Sequence, residues 1–289
     1  MAEFDEEDHP RDALGRWSDV GGGASAAQLI GRAKIAHENS GGLFDPKELQ
    51  DLPEQVKQSE KDGDKLFEQA REAHEMQLDL LDRDKGLSKD IGAKTIRGDK
   101  MPLGEFVKNI EKSTDEPGPM VVIGPMKSKE RSEEKVKADG AGDWSTLTDV
   151  VRSTVAVDTM SQVGDVVRHL QAHGIQLARK PTDRFTNPTV AGYRDLMLKV
   201  KYPNGHVGEI QVQIKGMLKA KEKAHGHYEK VRSIEAKLKT ENRAMTDSER
   251  KTYDEANSKM KEIYSSAWHK ANARPDKRSD FETLRENLF

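Results

Sequence analysis

Between residues 195 and 214 the chain alternates polar and apolar positions in two runs, 195–202 and 206–214, joined by Pro203-Asn204-Gly205. Alternation at period two predicts half-buried strands, because successive side chains of a strand point to opposite faces. Asn-Gly between two such runs predicts a tight hairpin with positive φ at both turn positions. In the second run Val207, Glu209, Gln211 and Gln213 share one face, and Gly208, Ile210, Val212 and Ile214 share the other. A glutamate and two glutamines in a row are unlike an ordinary core strand. Solvated sheet surface and a polar working surface explain them equally well.

The rest of the chain frames this hairpin. Residues 120–123 are a short apolar run that reads as a buried strand, broken by Gly124-Pro125. Residues 147–158 are β-branched and predict another. An amphipathic helix follows over 161–173, with Val163, Val166, Val167 and Leu170 on one side and Gly174 in the position after the C-cap. Residues 175–178 form a short strand. Helical spacing recurs over 26–39 and 64–84, where His74 lies between Glu72 and Glu75 and reads as part of a solvated face rather than a metal ligand. Residues 106–110 fit one more short helix. Residues 216–238 are helical, and Thr246-Asp247-Ser248-Glu249 is a capping box that starts a helix reaching about residue 273, before Pro275.

The predicted fold class is α+β: a mixed sheet of about five strands flanked by helices, with helical N- and C-terminal extensions. The chain divides into a tail (1–25), a helical N-terminal region (26–117), a core (118–234) and a C-terminal helical extension (235–289).

Composition narrows the chemistry. The 289 residues are 34% hydrophobic and 34% charged, so part of the chain is expected outside a packed core. A net charge of -3 gives no overall field toward nucleic acid or membrane and leaves room for a local basic site. With no cysteine, disulfides, thiol nucleophiles and thiolate metal sites are excluded. The absence of cysteine fits a cytoplasmic location. No apolar run approaches a membrane span, so no membrane partner is expected, and the acidic start is unlike a signal peptide.

The candidate chemistry lies after the strand at 120–123. Lys127, Arg131 and Lys135 recur every four residues, so a helix beginning there would carry three cations on one side. A strand, a glycine turn and a cationic helix start suit a polyphosphate. The Gly-x4-Gly-Lys-Ser/Thr pattern is absent. The competing reading is a charged surface helix neutralised by Glu130, Glu133 and Glu134, and composition alone favours it.

Taken in order, residues 118–234 resemble the nucleotidyltransferase-like synthetase domain of the RelA/SpoT family. The resemblance rests on strand–Gly–Lys127-Ser128, Lys135, Asp149 near the head of a β-branched strand, Gly192-Tyr193-Arg194, the return strand Glu209-x-Gln211, and His227-Tyr228 on a helix. Members of that family move pyrophosphate from ATP to a nucleotide 3′-hydroxyl, and toxic members use other acceptors, tRNA ends among them.

The resemblance implies a Mg²⁺-dependent pyrophosphokinase. Lys127, Arg131, Lys135 and His227 would bind the ATP phosphates. Asp149 and Glu209 would be the catalytic carboxylates and the metal ligands. Tyr193, Arg194 and Gln211 would bind the acceptor, a nucleotide or tRNA. Pro125, Met197 and Gln213 stand where the family usually has Arg, His and Arg. These departures support an alternative, a decayed domain that binds nucleotide or RNA without turnover.

No His-Asp metal-hydrolase pattern precedes the core. The tail segment HPRDALGRWSD resembles a short segment common in tailed-phage and prophage head proteins. It implies a phage-associated toxin or effector, or a virion structural protein, docked to a head component through residues 1–25. The location it implies is the bacterial host cytoplasm or the virion.

Overall fold

The computed structural model describes residue 44 and residues 49–82, 86–139 and 141–272. The tail, the helix expected at 26–39 and the stop at Pro275 lie outside the described residues.

The described elements run α1 (Gly63–Leu81), α2 (Leu87–Asp90), β1 (Lys94–Arg97), α3 (Leu103–Asp115), β2 (Met120–Ile123), α4 (Lys129–Asp139), β3 (Arg152–Val157), α5 (Met160–Ala172), β4 (Gln176–Leu177), β5 (Thr182–Asp183), β6 (Leu196–Lys201), β7 (Val207–Ile214), α6 (Lys215–Glu241) and α7 (Asp247–Asn272). They build one mixed sheet in the order β1-β2-β3-β7-β6-β4, with β5 also pairing with β6. The parallel pairs are β1–β2 and β3–β7, and the remaining pairs are antiparallel.

The fold is thus the α+β class expected, with seven strands among the described residues rather than about five. The two additions are β1 and β5. Each is too short to set up a recognisable alternation, and β1 places only Ile96 in a core. β1 also lies within the stretch read from the sequence as a helical N-terminal region.

Registry divides the sheet into two unlike faces. On one, Ile210, Val212 and Ile214 of β7 stand beside Leu196 and Leu198 of β6 and Val155 and Val157 of β3. This face packs on Val163, Val166, Val167 and Leu170 of α5 and on Leu66, Ala70, Leu78 and Leu81 of α1. α5 starts on a capping box between Thr159 and Gln162 and ends before Gly174 at φ +69°, as the sequence predicted. His74 departs from the reading as a solvated position. It is buried on α1, and burial lowers its pKa.

On the other face α3 covers one end, where Ile96, Phe106, Met120, Val122 and Ala156 form a small core. α6 and α7 form an antiparallel hairpin joined by Met217, Ala220, Ala224 and Val231 against Ala256, Met260 and Tyr264. The turn between them is fixed at Asn242, in the left-handed region. The capping box of Thr246 and Glu249 follows, and Arg243 grips Glu249 with two bonds of 2.7 Å each.

The β6–β7 turn differs from the Asn-Gly expectation. Among its residues only Gly205 has positive φ, at +86°. The Gly205 amide donates to the Tyr202 carbonyl at 2.8 Å, and the His206 amide donates to Asn204 Oδ1 at 3.1 Å. Pro203 locks its own φ negative, so the loop closes as a Pro-Asn turn with a glycine bulge. The register that results sets Lys199 opposite Glu209.

Candidate functional site

Gly124 ends β2, and the chain turns through Lys127, whose amide donates to the Val150 carbonyl at 3.1 Å. Ser128 caps α4, its hydroxyl accepting from the Arg131 amide at 3.3 Å. α4 therefore starts later than the four-residue spacing suggested, and the three cations do not share a helical stripe. Lys127, before the helix, and Lys135, within it, converge on Asp149 Oδ2 at 3.1 and 2.8 Å. Arg131 is exposed.

Asp149 lies in the buried loop leading into β3. Burial opposes its ionisation, but Lys135, Lys127 and then Lys199 outweigh that and hold the carboxyl well below the usual range. Lys127 and Lys135 are therefore paired with Asp149, rather than with the Glu130, Glu133 and Glu134 of the surface-helix reading. Its second oxygen, Oδ1, is buried without a hydrogen-bond partner among the described residues.

Glu209 lies on the polar face of β7. Its Oε2 takes a bond from Lys199 Nζ at 2.6 Å, and its Oε1 one from Gln211 at 3.0 Å. Lys199 also donates to the Thr148 carbonyl at 2.9 Å, which links the Glu209 strand to the Asp149 loop. Burial lowers the Lys199 pKa, with Glu209 opposing. Arg152, the exposed first residue of β3, pairs in register with Glu209. The face is therefore no solvated surface: Glu209 and Gln213 are buried.

The third part is the loop before β6. The single Tyr193 hydroxyl hydrogen is shared between Asp195 Oδ2 at 3.2 Å and Gln213 Oε1 at 3.0 Å, and Arg184 meets Asp195 Oδ1 at 2.8 Å. The Tyr193 ring meets Tyr264 of α7 edge-on at 5.4 Å, and Lys221 Nζ of α6 lies 5.6 Å from its centroid. Burial, and after it Asp195, raises the Tyr193 pKa. Arg194 turns away toward α7. It donates to the Phe185 carbonyl and stacks over Trp268 at 4.6 Å.

The structure thus brings together Lys127, Lys135 and Asp149, and next to them Glu209 with Gln211. Arg131 stays at the surface, Arg194 is engaged with α7, and His227 is half-buried on α6 with no hydrogen bond to the cluster. Sequence reasoning gave no role to Lys199, Arg152, Arg184, Asp195 or Lys221. Lys199 was within reach, since counting back from the turn sets it opposite Glu209. Arg184 and Asp195 meet through the pairing of β5 with β6, and Arg152 and Lys221 depend on how β3 and α6 meet the hairpin.

Lys127, Lys135, Arg152, Arg184, Lys199 and Lys221 carry six positive charges around the three carboxylates Asp149, Asp195 and Glu209. In a chain of net charge -3 this is a concentrated cationic site. Its donor set also fits a hard divalent cation. The unpartnered Asp149 Oδ1 offers one oxygen, and a second carboxylate stands across Lys199.

No protein-family model matches the chain, and no curated protein sequence matches it. Solved structures similar to it include the Type VI effector Tas1 in complex with its immunity protein, at 19% identity and a TM-score of 0.44, covering 74% of this chain and 99% of that one. The small alarmone synthetase 2 from Bacillus subtilis is similar at 17% identity and a TM-score of 0.41, covering 72% and 93%. Small alarmone synthetase 1 from the same organism, bound to its product pppGpp, is similar at 13% identity and a TM-score of 0.40, covering 64% and 87%.

Proposed function

We propose that the chain is a pyrophosphokinase that moves the β,γ-pyrophosphoryl group of ATP to the 3′-hydroxyl of a nucleotide or a tRNA end. The observation that carries this reading is the excess of cations around Asp149 and Glu209 on the polar face of β3, β6 and β7. Such transfer needs charge neutralisation and in-line positioning more than covalent chemistry, and a cationic pocket supplies both.

In the reaction the acceptor oxygen bonds to the β-phosphorus as the bond from that phosphorus to the α,β-bridging oxygen breaks. AMP leaves, and the hydroxyl proton passes to a carboxylate. Lys127 and Lys135 bind the triphosphate, which competes with Asp149 for their ammonium groups. Glu209 accepts the proton, with Lys199 and Gln211 fixing its orientation. Asp149 and Glu209 would hold Mg²⁺, which would supply neutralisation of phosphate charge. Arg152, at the mouth of the site, steadies the transferring group. Tyr193 borders the acceptor position, and its hydroxyl bonds with Asp195 and Gln213 keep the ring fixed.

One observation favours a second reading, a nucleotide-binding module without turnover. Gln213, which stands where the family usually has Arg, is fully buried and engaged by Tyr193.

The test is transfer from γ-³²P-ATP with Mg²⁺, offering GDP, GTP, ADP, ATP, AMP and bulk tRNA in parallel, with Glu209→Gln alongside. A labelled product that falls by about 10²–10⁴-fold in the variant supports the reading. ATP binding without product in any lane selects the binding module. Neither binding nor product overturns both.

A further inference from the structure

A second cluster of ligating side chains lies on the other side of the sheet. Asp90 ends α2, His169 lies in the last turn of α5, and His173 follows one turn later as its C-cap. His169 Nδ1 is 2.6 Å from Asp90 Oδ2, and one ligand atom from each of the three residues falls within 4.8 Å of the others. The two imidazoles stack with centroids 4.0 Å apart. His173 Nδ1 lies 3.0 Å from the His169 carbonyl. A carbonyl only accepts, so in the neutral ring this nitrogen carries the hydrogen, which leaves the Nε2 lone pair for a ligand. His169 is buried, and its Nε2 has no partner among the described residues. The cluster opens into a cleft of about 450 Å³ bordered by Pro119, Gln162 and Arg168.

We propose that Asp90, His169 and His173 form a binding site for a divalent transition metal, for which Zn²⁺ is the probe. Two imidazoles and one carboxylate are a borderline-soft set that suits zinc-type ions and not Mg²⁺. Ligand bonds of about 2.0–2.2 Å bring such atoms to roughly 3–3.5 Å from one another, a side-chain adjustment from the spacing seen. The cleft leaves room for water in the remaining position. An ion here ties α2, and with it the approach to β1, to α5. The site is independent of the Asp149–Glu209 cluster, which belongs to the opposite face and to the other end of β2.

The experiment titrates Zn²⁺ into EDTA-treated full-length protein by calorimetry, with and without excess Mg²⁺, and records the visible spectrum with Co²⁺. The expected result is one ion per chain, insensitive to Mg²⁺ and accompanied by a rise in Tm. His173→Ala and Asp90→Asn, both at exposed positions, should each weaken binding at least tenfold and remove the Co²⁺ bands. Folding of both variants is checked by circular dichroism. No stoichiometric binding, or equal affinity in both variants, overturns the proposal. The latter places the ion elsewhere.

Discussion

On one face of β7, Ile210, Val212 and Ile214 are buried against α5 and α1. One residue out of step, Glu209 is almost as buried, but against the ammonium of Lys199. Both faces exclude water, by opposite means. Burying an isoleucine releases roughly 1.5–3 kcal/mol. Burying an ion pair costs desolvation that its attraction repays only in part, so an apolar pair of like volume is often as stable or more so. A strand built for stability alone would carry apolar residues on both faces. A glutamate paired to a lysine on the second face of β7 is what the proposed pyrophosphokinase reading expects there.

The sharpest way to break this contrast is to remove one member of the pair. Lys199→Met leaves Glu209 buried beside a methionine and is expected to cost about 3–5 kcal/mol of stability. Adding Glu209→Leu should recover most of that loss while abolishing transfer. Denaturant unfolding of the two variants and of Glu209→Leu alone measures the coupling, and a double variant no more stable than Lys199→Met would refute the argument.

On the apolar face, Ile210→Ala is expected to cost about 2–5 kcal/mol by opening a cavity, with transfer per folded molecule unchanged. A selective loss of transfer would mean that the two faces are not separable.

Gly208 comes next. A Cβ there would lie 2.9 Å from the Val151 carbonyl oxygen and 2.9 Å from the Tyr202 ring. Gly208→Ala is expected to cost about 1–3 kcal/mol and, because Val151 follows Asp149 by two residues, to lower transfer as well. Wild-type stability in this variant would show that β3 gives way freely.

The smallest effect is graded with pH. His206 is fully buried, and burial lowers its pKa from 6.5 to about 4. The folded protein resists protonating it, so its contribution is complete above pH 6.5. That contribution is lost as pH falls toward 4, at up to about 1.4 kcal/mol per pH unit. The slope of stability between pH 6.5 and 4 should flatten in His206→Gln, and an unchanged slope would assign the acid sensitivity elsewhere.

Much of the hairpin was legible because its signals are local. Alternation gave β6 and β7, and the Thr246–Glu249 capping box and Gly174 gave helix ends. The turn misled where two local rules competed: Asn-Gly asks for two positive φ values, but Pro203 and the side chain of Asn204 close the loop with only Gly205 in that region. The stripe of three cations failed because Ser128 moves the start of α4 past Lys127. β1 was invisible because four residues with one buried side chain carry no period.

Sequence alone determined which residues could face one another along each strand and helix, since side-chain period is a property of the backbone. It therefore determined that Glu209, Gln211 and Gln213 share a face. Tertiary structure decided what those faces meet. The parallel pairing of β3 with β7 brings Arg152 beside Glu209, the loop before β3 delivers Asp149 to two lysines, and α6 brings Lys221 over Tyr193. These are contacts between segments far apart in the chain. Their energies come from burial and charge compensation, which no local pattern encodes.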